Sequence, residues 1–511
     1  MDNLMMQVEQ LQIVNQLWLT LFLLVPLVLI ARTIVSGTRY SPILFVVLIG
    51  LAMGHFMVAS GISTPGLPEF TMLDLISRTT IIPLTASFFV GGQELRKVFG
   101  KIKVESEDLV TLATEEVAIG TNKTQVSQIA RTFFLLLGIE AITRVAHGTD
   151  ASILSNFYTV LAYVGIVCSI ILIDYKTTTD KKLYMKKGVL ETALIIVIMI
   201  LSLRIAIAIR DIIALPQIFF AMIITCTLGA IFYKWRLGPT LKALLFAGLP
   251  VVLGANFMIG GSRFGEVFHI TGMNSVLAFG FFGQILWMFG GIALLMFFAK
   301  TDNVRNLAPG LAGGLSHAGL TGACTAGDLG PLAASRAPIM INIPFTCHIF
   351  VFSILAVSAA QDELMMIPAL LVFAFGVVMT AFSVKTLNGS NGEDSKEIPG
   401  LMKFAMGWQL TAIFGSFVIL SAFGMNLQHV AVSATSSLSH FGLFAATQGG
   451  MFGAEVAELL PFIFAMPFLV HPFVFFMFGK AMGNDGKMPK APVYTLALIG
   501  IAGVILSIVL I

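Results

Sequence analysis

The chain has 511 residues, 57% of them hydrophobic and only 11% charged, with a mean hydropathy of +0.93. This excludes a soluble domain and a disordered chain, and implies many membrane spans. A net charge of +3 says nothing about nucleic acid, and the basic residues matter by position instead; the expected partners are the lipid bilayer and a small anionic molecule, with no nucleic acid.

In chain order, no Lys or Arg precedes Arg32 and no small-residue cleavage site follows the first apolar run, so that span is expected to be retained. Candidate spans of about 20 apolar residues fall near 16–33, 42–60, 75–95, 132–147, 151–174, 188–209, 213–233, 239–260 and 276–299. Further ones fall near 337–359, 364–384, 401–424, 455–479 and 490–510. The fold class expected is an all-α polytopic membrane protein with about 14 spans. One sizeable polar segment, 96–131, reads as a cytoplasmic loop. Domains are expected at 1–235, an N-terminal membrane bundle, and at 236–511, a transport core. Cys168, Cys226, Cys324 and Cys347 lack any CxxC spacing and read as small buried apolar residues.

Between the later spans the chain repeats itself. Leu315-Ser316-His317-Ala318-Gly319-Leu320 recurs 123 residues later as Leu438-Ser439-His440-Phe441-Gly442-Leu443. Over 315–348 against 438–471, 13 of 34 positions are identical without a gap, including both histidines and Pro338/Pro461 and Pro344/Pro467. Paired Gly/Pro-interrupted segments in a membrane chain point to a transport site. The bland reading is a duplicated packing motif of small residues, but packing alone does not require Ser-His in both copies.

Basic residues collect in alternate loops, at Arg32/Arg39, Arg96–Lys103, Lys176–Lys187, Lys234–Lys242 and Lys300/Arg305. The positive-inside bias therefore sets the N-terminus outside, in a cell inner membrane. The later basic clusters stay inside only if 305–335 and 427–452 each enter and leave on one face. They are then re-entrant or broken segments entering from opposite faces, and units 276–385 and 401–508 form an inverted repeat. Non-helical backbone at membrane depth survives where protein or a wet cavity satisfies it.

An ionisable residue at that depth is a functional candidate. Asp328, with Thr325 and Gly327, fits a coupling-ion site for sodium or a proton; the structural alternative is a helix N-cap. Its repeat mate is Met451. Ser316, His317, Thr321, Ser439, His440, Thr447 and Gln448 are candidate substrate contacts, and Arg336 a candidate anion clamp. His348 and His471, beside Pro344 and Pro467, fit structural hydrogen bonding better. Glu455 and Glu458 read as solvated. No HExxH, GxxxxGK[ST], GxSxG or TVGYG occurs, so nothing marks an enzyme, a nucleotide-driven pump, a cofactor site or a selective pore.

Gly327-Asp328-Leu329, followed by Leu332-Ala333-Ala334-Ser335-Arg336 and Pro344-Phe345, resembles the re-entrant-loop region of the sodium-coupled 2-hydroxycarboxylate (citrate/malate) carriers. Phe88-Phe89-Val90-Gly91-Gly92-Gln93-Glu94-Leu95 is similar to a segment of the sodium/glutamate symporters. The resemblance implies inverted repeats, two re-entrant loops and transport of carboxylates with cations, and it is compatible with a homodimer. The expectation is a secondary carrier that couples a small organic anion to sodium or protons. The alternatives are a monovalent cation/proton antiporter, then a channel or a membrane-embedded enzyme.

Overall fold

The computed structural model describes residues 2–36, 40–99, 122–147, 165–167, 188–213, 215–235, 237–267, 269–270, 272–325, 327–389 and 394–509. Among them the fold is all-α. In lipid a helix satisfies every internal peptide group within its own segment, which is why an apolar chain takes this form. The first half comprises α1 (Asp2–Val35), α2 (Ile43–Ala59), α3 (Thr71–Ser77), α4 (Ile81–Phe99), α5 (Asn122–His147), α6 (Val189–Arg210), α7 (Gln217–Ile231), α8 (Pro239–Ser262) and the single turn α9 (Phe264–Val267).

Two sets with the same succession of elements follow. The first is α10 (Met273–Phe298), α11 (Val304–Leu315), α12 (Ala318–Thr325), α13 (Pro331–Phe345), α14 (His348–Gln361) and α15 (Met366–Asn388). The second is α16 (Asp394–Ala422), α17 (Leu427–Leu438), α18 (Phe441–Gln448), α19 (Ala454–Ala465), a 3-10 turn (Met466–Val470), α20 (His471–Gly483) and α21 (Lys490–Val509).

Among the described residues ten helices are long and apolar enough to cross a membrane, and α13 with α14, bent by 45°, would make an eleventh. Two more expected spans, at α2 and α7, are apolar but shorter. The span expected at 151–174 lies almost wholly outside the described residues. The segment read as a loop over 96–131 is helical at both ends: α4 continues to Phe99 and α5 begins at Asn122. Apolar side chains at Val126, Ile129, Phe133 and Phe134 carry α5 across positions whose polar neighbours had masked them.

Two apolar cores meet along α8. Leu249, Leu253 and Phe257 face a core drawn mainly from α10–α21. Val251, Val252, Ala255 and Met258 face one built from α1–α8. A helix buried on two faces reads as uniformly apolar in sequence.

Contacts sort the element ends into two groups. At one end, Asn388 Nδ2 donates to the Phe298 carbonyl at 2.7 Å, Val304 N–H to Gly486 O at 2.7 Å and Met488 N–H to Asp302 O at 2.9 Å. Asn306 of α11, Arg336 of α13 and Glu397 of α16 also meet there. At the other end, Gly272 lies 3.5 Å from the His429 ring and Gly453 3.8 Å from Gln428, measured from an ideal Cβ. So α11 leaves the first end, and by Arg336 the chain is back beside Asn306. Likewise α17 leaves the second end, and by Gly453 the chain is back beside Gln428.

Candidate functional site

Each helix pair breaks at its Leu-Ser-His. Ser316 and Ser439 cap α11 and α17 with φ of +48° and +50°. The left-handed region costs an L-residue roughly 1–2 kcal/mol and ordinarily selects glycine. Two serines in this conformation, at positions related by the repeat, hold strain where glycine would be cheaper. Such strain is characteristic of functional positions.

The two breaks lie against each other. His317 and His440 form an antiparallel bridge, in which Ala318 N–H donates to Ser439 O at 2.8 Å and Phe441 N–H to Ser316 O at 2.9 Å. Peptide groups freed by one break are thus satisfied by the other, as a buried break requires. The following short helices are capped by imidazole: His317 Nδ1 accepts from Leu320 N–H at 3.1 Å and His440 Nδ1 from Leu443 N–H at 3.0 Å.

Around this crossing the second histidines of the repeat arrive from the opposite sets. His348 Nε2 lies 3.1 Å from His440 Nε2, and the His471 and His317 rings are 4.7 Å apart between centroids. Glycine allows both approaches: a Cβ on Gly442 would lie 2.8 Å from His348 Nε2, and one on Gly319 2.8 Å from His471 Nε2. Gln284 of α10 reaches His317 Nε2 at 3.1 Å, and Gln409 of α16 reaches His440 Nε2 at 3.4 Å. All four histidines and both glutamines are buried. Among the described residues the hydroxyls of Ser316, Ser439, Thr321 and Thr447 are buried without a hydrogen-bond partner. A polar lining with open valences in an apolar core is what a small polar ligand requires.

The expected site residues therefore separate into groups. Ser316, His317, Ser439 and His440 come together at the crossing, with Thr321 and Thr447 on the short helices that leave it. Gln448 ends α18, half-buried. Arg336 lies elsewhere, near the first end, bound to Asn306 and 3.5 Å from Glu397. It joins α11, α13 and α16, a structural use of a guanidinium.

Asp328 is not at the crossing either. It sits in the turn after α12, where Ser41 Oγ donates to its Oδ2 at 2.9 Å. Buried Arg32 of α1 lies within Coulombic reach. Arg32 Nη2 donates to Phe246 O at 3.1 Å, its guanidinium carbon stands 3.4 Å over the Phe246 ring, and among the described residues its Nε and Nη1 have no hydrogen-bond partner. Nor is Asp328 an N-cap: Gly330 caps α13. Thr325 turns its hydroxyl back onto Thr321 O at 2.7 Å, and Gly327 takes φ +82° to make the turn. Glu455 and Glu458 are exposed.

Gln284, Gln409, Arg32 and Ser41 are the participants that sequence reasoning missed. A lone glutamine inside Gly280-Phe281-Phe282-Gly283-Gln284-Ile285-Leu286-Trp287 was a usable signal, because polar side chains in an apolar span need partners. Compared with family models, with curated proteins and with solved structures, the chain finds no match in any of the three.

Proposed function

We infer that the protein is a secondary active transporter of an inner membrane, coupling a small organic anion such as a carboxylate to the movement of sodium or protons. The observation that carries this reading is the bridge between two broken helix pairs that leave opposite ends of the molecule. In a bilayer the pairs α11–α12 and α17–α18 would be re-entrant, meeting near the midplane as two halves of an inverted repeat. Of the 14 spans in this reading, ten are the long apolar helices and one is the bent pair α13–α14. The remainder are α2, α7 and 151–174. The crossing is then the chamber that each face opens to in turn, and motion of one set against the other would supply alternating access. Arg32, Lys300, Arg305, Lys385 and Lys487 stand at or near the first end, and Asp362, Glu363 and Glu455 at the second, which supports a cytoplasmic first end and an outside N-terminus.

Two experiments test this reading. In proteoliposomes preloaded with unlabelled anion, labelled citrate, L-malate or L-glutamate should accumulate by counterflow. Absence of uptake for every organic anion, together with sodium-driven proton movement, would replace this reading with the cation/proton antiporter. For topology, single cysteines at Glu363 and Asn426 in a cysteine-free background should react with an impermeant thiol reagent from outside, while those at Asn388 and Asp485 should not. Labelling of Asn388 from outside would end the re-entrant assignment.

A further inference from the structure

The hydrogen bonds at Nδ1 fix which nitrogen of each crossing histidine carries its proton. His348 Nδ1 faces Phe345 O at 2.9 Å and His471 Nδ1 faces Phe468 O at 3.2 Å. A carbonyl only accepts, so in both neutral rings Nδ1 is protonated and Nε2 is a lone pair. His317 and His440 are the reverse: Nδ1 accepts from a backbone N–H, leaving the proton on Nε2. His440 Nε2–H therefore donates to the His348 lone pair at 3.1 Å, and that half of the crossing is closed.

Its repeat-related half is open. Among the described residues His471 Nε2 is buried without a hydrogen-bond partner, because the facing His317 Nε2–H is directed at the Gln284 side-chain amide instead, which accepts it through its oxygen with the amide turned over. A basic nitrogen with an unused lone pair, held by a backbone carbonyl on its other side and flanked by rings of Phe468 and Phe475, is costly to leave empty. Resting on the carrier reading above, we propose that His471 Nε2 is the seat of the coupling proton, bound together with the carboxylate of the transported anion.

The step is a proton transfer: an O–H bond of hydronium on the open face breaks as the Nε2–H bond forms, leaving water, and on the other face the N–H bond breaks as water takes the proton back. A nitrogen lone pair suits a proton better than sodium, which takes oxygen ligands. Coupling follows from burial. An imidazolium alone, or a carboxylate alone, is expensive in a neutral apolar core, whereas the two together offset each other and fill the open hydroxyls of Ser316 and Ser439. The titratable group facing His471 is His317, with His440 and His348 across the crossing. On the elements packed around it, α10 carries no charged residue. His55 of α2, Arg305 of α11, His429 of α17 and Glu455 and Glu458 of α19 stand away from the crossing, toward the ends of the molecule.

The test uses the full chain in proteoliposomes loaded with a pH-sensitive dye, in sodium-free buffer, with citrate, L-malate or L-glutamate outside. Uptake should acidify the interior. His471→Gln, which keeps a donor for Phe468 O, should abolish the acidification and slow uptake at least about tenfold, with His55→Gln, exposed and away from the crossing, changing uptake about threefold or less. As a readout independent of transport, 15N-histidine spectra of the wild-type protein in bilayers should gain one imidazolium signal when the anion is added. Uptake that requires sodium and moves no proton overturns the proton seat and leaves the carrier standing. No uptake of any anion and no imidazolium signal overturns both.

Discussion

Replacing Ser316 or Ser439 by glycine should leave the protein at least as stable as before and slow transport at least about tenfold, equivalent to roughly 1.4 kcal/mol of lost ligand binding. Both serines sit in the left-handed region, where glycine removes a steric cost of roughly 1–2 kcal/mol and adds back about 0.5–1 kcal/mol of unfolded-state entropy. The net change in stability is small and favourable, read as an unchanged or higher unfolding temperature in detergent. Each buried hydroxyl lost is a hydrogen bond that the protein itself does not use, so its removal falls on the ligand. Serine to alanine at either position keeps the strain and should show the same transport loss without the gain in stability. Glycine variants that transport at the wild-type rate would show that the hydroxyls do not touch the ligand.

Asp328→Asn should destabilise the protein by about 2 kcal/mol. A fully buried pair would lose roughly 3–5 kcal/mol, and Asp328 is only half-buried. The substitution leaves Arg32 buried with no opposite charge beside it. Arg32→Gln alone should cost a similar amount, and the double variant less than the sum of the two, which is the signature of a coupled pair. If Asp328 instead serves a coupling ion, as its place in the sequence led us to expect, the same substitution spares the fold and weakens cation binding. If thermal unfolding of Asp328→Asn matches wild type while its cation dependence shifts about tenfold, the carboxylate serves an ion and the pairing with Arg32 is incidental.

The features that sequence made visible are those that repeat. Leu-Ser-His at a fixed spacing marked both breaks, and the shared prolines and histidines marked the helices that follow. Units were expected at 276–385 and 401–508, and the elements over 273–388 and 394–509 follow one succession. What stayed hidden depends on contacts between residues far apart in the chain and not duplicated. Ser41 meets Asp328 across 287 residues, and Glu397 meets Arg336 across 61, so neither partner leaves a local pattern. Gln284 and Gln409 play equivalent parts but differ by 125 positions rather than 123, which removes them from a gapless comparison. Arg336 and Asp328 were natural candidates because an isolated charge in an apolar chain draws attention. In both cases the contacts, Glu397 for Arg336 and Ser41 with nearby Arg32 for Asp328, come from distant parts of the chain.

The bridge at the crossing also constrains how the chain is made. Ala318 N–H and Ser316 O belong to a segment completed early in synthesis, and their partners Ser439 O and Phe441 N–H come 121 and 125 residues later. Until the ribosome has delivered that second stretch, the first break holds bare peptide groups in an apolar surrounding, and no local rearrangement of α11 or α12 can cover them. Biogenesis therefore cannot finish the first half before the second. A polypeptide ending after Asn388 should be cleared by quality control, and supplying residues 394–511 as a separate chain should rescue it.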